Sequence, residues 1–390
     1  MKILQVSPFF YPHAGGVESH VRSLARELAR EGHELTVLTA RHRRDLPLEE
    51  TYEGFRIVRT PVQGVWFNTP VAPRTARAVR ELQADVVHLH YPPPLTSYFA
   101  LRGLRKLRTP SCLTYHCDLY LAGPIGALLT GLYSRIFLPP TLAGVDRIIL
   151  HTRSYGTTSR AIRGRRFDII PSAVDTERFH PGTEVGDLRE RLGLDGHRVI
   201  AFAGRLVPHK GVDVILRALA ELPSDVVLLV IGRGPRLSDL VGLARRLGVE
   251  HRIRFLPRVS DEELPRHLRA ADLFVFPSQN RLEGFGLAVA EAMASGLPVI
   301  TADMPGVREV IEPGVEGLLA EPLLGRDLSQ RIEELLSDPE RRRRMGAAAR
   351  KRAEERYALP VVVRALVRLY EEMIAGRTAT SVPASLPAAG

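Results

Sequence analysis

Two kinds of hydrophobic pattern alternate along the first half of the chain. Continuous apolar runs, typical of strands buried on both faces of a parallel sheet, occur in KILQVS, ELTVLT, DVVHLH and DRIILHT. Between the first two runs, GVESHVRSLARELAREG has apolar residues at helical spacing, and one side of the predicted helix carries Val17, Val21, Leu24 and Leu28. Gly32 then ends the helix. This alternation predicts α/β units around a parallel sheet.

The same alternation restarts after IIPSAVDTERFHPG, a connection at residues 169–182. Five further strand candidates follow, with helical patterns between them: VIAFAGRL, VVLLVIGRG, IRFLPRV, LFVFPS and LPVITAD. We therefore predict two doubly wound domains, over residues 1–180 and 181–358. A last helix at 359–376 is expected to pack back on the first domain, and the Ala/Pro/Ser/Thr-rich tail at 377–390 to be disordered.

Composition narrows the class of protein. The two cysteines, Cys112 and Cys117, cannot form a disulfide framework, and no Cys/His spacing is typical of a metal site. The apolar start of the chain is too short for a signal peptide. Both features favour a cytoplasmic location.

The positive charge is concentrated in the first half of the chain. Residues 1–180 contain 24 Lys/Arg against 15 Asp/Glu, whereas residues 181–390 contain 30 against 29. A basic half could bind nucleic acid, anionic lipid or phosphorylated substrates. The alternative explanation is an arginine-rich surface that only faces solvent. No basic stretch interleaved with aromatic residues supports nucleic-acid binding.

The stretch LYLAGPIGALLTGLYS, residues 119–134, has no charged residue and follows the basic cluster RGLRKLR at 102–108. It is shorter than the roughly 20 residues that span a bilayer, and Gly and Pro interrupt it. We interpret it as a buried helix of the first domain, with contact to a membrane surface as the alternative.

Ligands of parallel α/β domains bind beyond the carboxyl ends of the strands. In the first domain, Gly15 and Gly16 precede a helix and would let backbone amides approach an anion, although a flexible loop also explains them. Their spacing is not that of a dinucleotide fingerprint. His116 follows a strand candidate in CLTYHCDLY and is either an acid–base or substrate-binding group, or a histidine with local partners.

In the second domain, two cations occupy one short loop between a strand and a helix. Arg205 and Lys210, in AFAGRLVPHKGVDVIL, together with the helix N-terminus suit a diphosphate. Gly234, in the turn of IGRGPR, fits beside a nucleotide, although turn chemistry alone also explains it.

The stretch EGFGLAVAEAMASG places two glutamates at and inside the start of a helix. Glu283 precedes free backbone amides that attract phosphate, so its carboxylate should turn toward neutral hydroxyls. Glu291 would lie about 12 Å further along if the whole interval were helical. Its apolar neighbours suggest a buried carboxylate that needs partners such as the diol of ribose, and a surface glutamate is the alternative.

The E-x7-E pattern of Glu283 and Glu291 occurs with GRLVPHKGVD, IPSAVDTERFHP and the Gly-Gly loop in one order. This set resembles glycosyltransferase family 4 over about residues 1 to 375. The resemblance implies the GT-B fold: α/β, with two Rossmann-like domains facing across a cleft. It also implies a retaining, metal-independent transfer of a sugar from a nucleotide-diphosphate sugar to an acceptor hydroxyl, with no other cofactor.

The resemblance assigns roles to the side chains. Arg205 and Lys210 would neutralise the diphosphate and replace a metal, since no D-x-D pair is placed to bind one. Glu291 would hold the ribose and Glu283 the hydroxyls of the donor sugar. His116 would contact the sugar near the reacting carbon.

Backbone groups complete the implied site. Amides at Phe285, Gly286 and Leu287 would bind the distal phosphate and the sugar, and Val259 would lie beside the base. Gly15 and Gly16 would let the first domain close over the phosphates. The chain departs from the family pattern at Ser172-Ala173, usually Asn-Gly, and at Leu150-His151-Thr152, where the family often has Ser.

The expected acceptor is a glycan, a lipid-linked molecule or a small molecule. The basic and apolar region at 102–145 favours a lipid-linked acceptor and a peripheral position at the inner membrane face. The TYHCD segment resembles that of mannosyl-type transferases and favours a GDP-sugar. Two alternatives remain: a sugar-nucleotide epimerase on the same fold, and a non-catalytic binder of anionic lipid or nucleic acid.

Overall fold

The computed structural model of the chain describes residues 1–13, 15–66, 69–120 and 123–381. It divides into two compact units. The first comprises residues 1–151, 159–170 and the chain from 360 onward, and the second comprises residues 152–158 and 171–359. The second unit therefore begins at residue 171, whereas the sequence pattern placed the division at residue 180. The assignment of residues 152–158 to the second unit was not predicted.

The first unit is built around a nearly all-parallel sheet. Its strands are β1 Lys2–Val6, β2 Glu34–Ala40, β3 Glu49–Tyr52, β4 Phe55–Thr60, β5 Gly64–Trp66, β6 Thr69–Val71, β7 Val86–Tyr91, β8 Ser111–Tyr115, β9 Arg147–Leu150 and β10 Asp168–Ile169. Within the described residues, eight strands form one sheet in the order β10-β9-β8-β7-β1-β2-β4-β3. The pair β3–β4 is antiparallel, and the other neighbouring pairs are parallel. Strands β5 and β6 form a separate hairpin.

The second unit contains an all-parallel sheet. Its strands are β11 Arg198–Ala203, β12 Val226–Ile231, β13 Ile253–Leu256, β14 Leu273–Phe276, β15 Val299–Ala302 and β16 Gly317–Ala320. Their order in the described part of the unit is β13-β12-β11-β14-β15-β16. Strand order reverses between β11 and β14, and in the first unit between β1 and β7, so each sheet has the switch point at which such folds bind ligands.

Helices connect the strands in both units. They are α1 Gly16–Arg30, α2 Thr75–Glu81, α3 Pro94–Leu104, α4 Gly123–Ile136, α5 Leu138–Ala143, α6 Arg153–Thr158, α7 Leu188–Arg191, α8 Val212–Glu221, α9 Leu237–Arg246, α10 Leu264–Arg269, α11 Leu287–Ala294, α12 Gly325–Leu336, α13 Pro339–Arg352 and α14 Leu359–Ser381. Single 3-10 turns occur at Pro208–Lys210, Glu250–Arg252 and Val307–Val310, and a π-helical turn occurs at Ala353–Tyr357.

The continuous apolar runs are the buried strands that the sequence predicts. Every residue of β7, β12, β14 and β15 is buried. Because the ladder satisfies their backbone groups, both faces can be covered by apolar side chains. The prediction of two doubly wound α/β domains is confirmed. The antiparallel edge strand β3, with the sequence EETY, was missed because it carries no apolar run.

The interpretation of the uncharged stretch as a buried helix is wrong. Much of it forms α4, and four apolar side chains of that helix are largely in solvent: Ile125 (74%), Leu128 (72%), Leu132 (53%) and Ile136 (51%). Their spacing of three, four and four residues puts them on one face. No helix in the described part of the chain has the length and apolar character needed to cross a membrane.

The last helix is longer than predicted. It continues to Ser381, so residues 377–381 are helical and not part of a disordered tail. The predicted disorder of residues 382–390 concerns positions outside the described residues. The helix groups with the first unit, where the Tyr370 hydroxyl lies 2.7 Å from His88 Nδ1.

Candidate active site

Four neighbouring strands of the second unit end beside the predicted binding residues. Val259 follows β13, Gly234 follows β12, Arg205 and Lys210 follow β11, and Glu283 follows β14. Carboxyl ends of parallel strands share one edge of the sheet. The fold therefore brings these loops to one edge, around the switch point between β11 and β14.

Lys210 and Glu283 form an ion pair at this edge. The Lys210 ammonium donates to Glu283 Oε2, and the two side chains are only 15% and 13% exposed. Lys210 Nζ also lies 4.7 Å from the centroid of the Phe276 ring, close enough for a cation–π contact. In this state each charge neutralises the other.

His209 lies beside both cations and was missed in the sequence, although it stands next to Lys210 in the PHK turn. Burial, together with the positive charge of Lys210, lowers the pKa of the His209 ring to about 4; Glu283 opposes this and Arg205 adds to it. The ring is therefore neutral at pH 7. The structure thus brings Lys210 and Glu283 into contact, and the charge of Arg205 acts on the same His209 ring.

Hydrogen bonds attach the cationic turn to the end of β14. The His209 carbonyl accepts from the Gln279 amide at 2.7 Å and from Ser278 Oγ at 3.2 Å. Gly211 follows with φ +73°, and a Cβ there would lie 2.1 Å from the Pro277 carbonyl oxygen. Only glycine permits this approach of the two loops.

Gly234 has a packing role in this structure. A Cβ on Gly234 would lie 2.3 Å from the Leu206 carbonyl oxygen. The Leu206 amide donates to the Arg233 carbonyl at 2.9 Å, so the loops after β11 and β12 are joined here. The predicted proximity of Gly234 to a nucleotide stays a prediction.

The helix that carries Glu291 begins only at Leu287. Gly286 precedes it in the left-handed conformation, with φ +87°, and a Cβ there would lie 3.0 Å from Val307 Cγ2. The interval from Glu283 to Glu291 is therefore only partly helical, and the 12 Å estimate does not apply. The amides of Gly286 and Leu287 make no hydrogen bond within the described residues, as expected for a helix start that can receive an anion. Phe285 is buried, and its ring packs edge-on against Tyr357.

Glu291 is a half-buried carboxylate with buried apolar neighbours on α11. Burial raises its pKa to about 7; Arg178 opposes this and Asp261 adds to it. Among the residues that the structure describes, none donates a hydrogen bond to this carboxylate. Sequence reasoning missed Arg178 and Asp261, although Arg178 lies in the quoted stretch IPSAVDTERFHP.

The Gly-Gly loop of the first unit is the start of α1. Gly15 caps the helix with extended backbone, and a Cβ there would lie 2.3 Å from Glu18 Oε2. Glu18 Oε1 is 3.1 Å from His13 Nδ1. A Cβ on Gly16 would meet nothing within 4 Å. Because the Glu18 carboxylate is the end of a flexible side chain, it could move aside, so this contact does not require glycine at position 15. Open space adjoins Gly16.

His116 belongs to a chain of hydrogen-bonded histidines in the first unit. His151 Nδ1 donates to the Ile170 carbonyl at 3.0 Å, because a carbonyl can only accept. His151 Nε2 then accepts from His116 Nδ1 at 3.0 Å, and His116 Nε2 accepts from His90 Nδ1 at 3.1 Å. Both ring nitrogens of His116 are therefore engaged by other histidines. Its predicted contact with a sugar stays a prediction.

Two further histidines border this chain. The ring centroid of His20 lies 5.4 Å from that of His116, and His88 hydrogen-bonds Thr114 and Tyr370. Burial lowers the pKa of His116 well below its usual value and lowers that of His151 to about 4. The cluster is thus a set of neutral rings. Sequence reasoning missed it, although the same-face spacing of the two histidines in HLH was a signal.

In the part of the chain that the structure describes, no group of three or more His, Cys, Asp or Glu side chains is arranged to hold a metal ion. Metal independence stays a prediction.

Comparison with known proteins places the chain among glycosyltransferases. The family model for Glycosyltransferase Family 4 matches residues 14–178, and that for Glycosyl transferases group 1 matches residues 185–352. The chain is 30% identical to the GDP-mannose-dependent alpha-(1-6)-phosphatidylinositol monomannoside mannosyltransferase of Mycolicibacterium smegmatis, covering 89% of this chain and 92% of that protein. It is 32% identical to the D-inositol 3-phosphate glycosyltransferase of Nocardia farcinica, covering 89% and 83%.

Solved structures show the same fold. The sucrose-phosphate synthase of Thermosynechococcus elongatus superposes with a TM-score of 0.81 at 23% identity, covering 96% of this chain and 99% of that one. HepE of Anabaena, in complex with UDP and glucose, gives 0.79 at 21% identity, covering 95% and 100%. The fold and the site define a glycosyltransferase of the GT-B type that uses nucleotide sugars. The chain belongs to glycosyltransferase family 4.

Proposed function

We propose that this glycosyltransferase moves a sugar from a nucleoside-diphosphate sugar to a lipid-linked acceptor, with retention of configuration and without a metal. The observation that carries the proposal is the site at the carboxyl edge of the second sheet. There, Lys210 pairs with Glu283, Arg205 lies on the same loop as Lys210, and the amides of Gly286 and Leu287 that begin α11 follow Glu283 in the chain. Glu291 supplies a half-buried carboxylate.

The Lys210–Glu283 ion pair suggests how the donor binds. A diphosphate offers Lys210 a second anion, and sugar hydroxyls offer Glu283 neutral donors. Donor binding would therefore exchange the ion pair for two contacts with the ligand. As the sugar–phosphate bond breaks, charge builds on the leaving diphosphate, where Lys210, Arg205 and the helix amides stabilise it.

A GDP-linked sugar is the donor we infer. The TYHCD segment resembles that of mannosyl-type transferases, and the relative from Mycolicibacterium smegmatis is named as GDP-mannose-dependent. Thermal-shift measurements with GDP-mannose, UDP-glucose and ADP-glucose test this, because a ligand that binds only the folded state raises its Tm. A larger shift with UDP- or ADP-sugar than with GDP-mannose would overturn the choice of base.

The exposed face of α4 supports an acceptor at an anionic lipid surface. Its apolar residues Ile125, Leu128, Leu132 and Ile136 are exposed, and basic residues are exposed at the end of α3: Arg102, Arg105, Lys106 and Arg108. The Tyr98 ring of α3 packs on Phe137, directly after α4, with centroids 5.2 Å apart. An apolar face beside clustered cations is typical of proteins that lie on anionic membranes.

Vesicle sedimentation tests this surface. Wild-type protein should bind vesicles containing phosphatidylinositol, and Leu128→Asp should lower binding about tenfold, because it puts a charge at the lipid boundary. The control is Leu324→Asp, the same change at an exposed leucine of the second unit. Equal binding by the wild type and both variants would contradict the lipid surface.

The reaction itself is tested by product analysis. A transferase releases GDP from GDP-mannose only when an acceptor is present, and the sugar appears on the acceptor. A sugar-nucleotide epimerase would convert the donor without releasing GDP. Acceptor-independent isomerisation of the donor, or lipid binding with no turnover of any nucleotide sugar, would overturn the proposed function.

A further inference from the structure

A short stretch of chain leaves the first unit and returns to it. Residues up to His151 and from Ser159 to Ile170 belong to the first unit, whereas residues 152–158 belong to the second. Most of this excursion is the single helical element α6. Its contacts fall on the loop that carries Glu283, which has neither helix nor strand from residue 277 to 286.

Tyr155 and Arg281 form reciprocal hydrogen bonds. The Tyr155 hydroxyl donates to the Arg281 carbonyl at 2.9 Å, and Arg281 Nη2 donates to the Tyr155 carbonyl at 3.1 Å. Arg281 Nη1 also reaches Thr158 Oγ1 at 2.6 Å, and the guanidinium carbon lies 4.6 Å from the Tyr155 ring centroid. A backbone carbonyl two residues before Glu283 is thereby fixed by a buried side chain.

Glu309 and Gly306 hold α6 from the other side. The Glu309 carboxylate accepts from the amides of Arg153 at 3.2 Å and Ser154 at 2.6 Å, and so caps the start of α6. The Gly306 amide donates to Ser154 Oγ at 3.2 Å. A Cβ on Gly306 would lie 2.8 Å from the Glu283 carbonyl oxygen, so the same turn packs directly on the Glu283 loop.

The two residues that flank the excursion hold one loop of the first unit. His151 Nε2 accepts from His116 Nδ1 at 3.0 Å, and Ser159 Oγ donates to Asp118 Oδ1 at 2.8 Å. Asp118 also accepts from the Tyr115 hydroxyl at 2.9 Å. Both ends of the excursion are thus attached to the TYHCD segment.

We propose that residues 152–158 are a positioning segment for the donor site. Tyr155 holds the Glu283 loop through Arg281, and Glu309 holds the start of the segment. The flanking His151 and Ser159 anchor its two ends by hydrogen bonds to His116 and Asp118. The inference rests on the proposed donor role of Glu283. A loop without regular structure has many conformations, and fixing its carbonyls removes part of the ordering cost of ligand binding.

The first test uses amide hydrogen exchange in the full-length unliganded protein. Tyr155→Phe removes one hydroxyl and keeps the ring, so exchange of the Leu282 and Glu283 amides, which hydrogen-bond to Asn280, should become about 3- to 10-fold faster. Tyr98→Phe, a hydroxyl removal on α3, should leave these two amides unchanged. Wild-type exchange of both amides in a folded Tyr155→Phe protein would overturn the proposal.

The second test measures GDP-mannose affinity by calorimetry. Tyr155→Phe and Ser159→Ala should each raise the Kd about 3- to 10-fold, with a Tm within a few degrees of the wild type. The Kd of the double variant should rise by less than the product of the two single increases, since both substitutions act on one segment. Ser337→Ala, at an exposed serine, is the control.

Glu283→Gln distinguishes the positioning role of residues 152–158 from the donor-binding role of Glu283. If Glu283→Gln weakens binding and Tyr155→Phe does not, the positioning role is wrong and the donor site stands. If Glu283→Gln leaves GDP-mannose affinity unchanged, the proposed donor role of Glu283 fails. Multiplicative effects of Tyr155→Phe and Ser159→Ala would overturn the role of Ser159 as an anchor of this segment.

Discussion

Lys210 and Glu283, 73 residues apart in the chain, form an ion pair between the loops that follow β11 and β14. These loops follow neighbouring strands at the switch point of the second sheet. The proposed donor would separate this ion pair, because its diphosphate would bind Lys210 and its sugar hydroxyls would bind Glu283. Each side chain can be removed in a separate experiment.

Lys210→Ala should lower kcat by about 100-fold or more, because it removes positive charge where the leaving diphosphate gains negative charge. The variant should stay folded, because Lys210 lies in the Pro208–Lys210 turn, which contains no buried residue. Steady-state kinetics with GDP-mannose measure the effect. The control is Lys351→Ala, at an exposed lysine of α13. Wild-type turnover in folded Lys210→Ala protein would contradict the cationic site.

Glu291→Gln should have opposite effects on donor binding and on stability. The ionised carboxylate accepts hydroxyl donors best, so GDP-mannose affinity of the wild type should fall as the pH drops below about 7. The glutamine variant should bind about tenfold more weakly at pH 8 and vary little with pH. Calorimetry at pH 6 and pH 8 measures both, and a pH-independent wild type would count against the ribose role.

The stability effect follows from the direction of the same shift. The folded protein keeps the Glu291 proton up to about pH 7, whereas the unfolded chain loses it near 4.5. This contribution is fully present below pH 4.5 and is lost as the pH rises through 7. Glutamine resembles the protonated form, so the unliganded variant should be about 3 kcal/mol more stable at pH 8. Urea unfolding measures this, with Glu355→Gln as the exposed control.

The histidine cluster should make the first unit sensitive to acid. Its rings stay neutral when folded, because burial lowers their pKa, and they regain a value near 6.5 when unfolded. Stability is therefore fully present above about pH 7 and falls at lower pH, by about 1.4 kcal/mol per pH unit for each proton gained on unfolding. Urea unfolding between pH 7.5 and 5.5 should show this slope.

His151→Gln should reduce that slope by removing one titrating ring. The exposed His251, changed to glutamine, should leave the slope as it is in the wild type. If the free energy of unfolding has the same pH dependence in His151→Gln and in the wild type, the neutral histidines from His90 to His151 do not cause that pH dependence.

Gly234→Ala should destabilise the second unit. The new methyl group would meet the Leu206 carbonyl oxygen at 2.3 Å, which forces the loops after β11 and β12 apart. We expect a loss of about 1–3 kcal/mol and weaker donor binding, because Arg205 precedes the displaced residue. Gly131→Ala, on α4 with open space around it, should be neutral or stabilising. Equal melting temperatures for the two variants would contradict the packing role.

The sequence alone determined the α/β units, the second-unit loops that carry the candidate site, and the family. Strands such as β12 and β14 are continuous apolar runs, and only a strand covered on both faces suits such a run. Motif spacing along the chain is visible without coordinates, and it predicted Arg205, Lys210, Glu283 and Glu291 as candidates for the site.

Only the tertiary structure decided which of these residues meet. Three sets of contacts join elements that are far apart in sequence: the Lys210–Glu283 ion pair, the hydrogen-bonded histidines from His90 to His151, and the hydrogen bonds between Tyr155 and Arg281. The exposed face of α4 was misjudged because an uncharged stretch has the same composition whether it is buried or not. Composition and periodicity report each element's own preference, whereas contacts, burial and the pKa of Glu291 depend on what the fold places beside it.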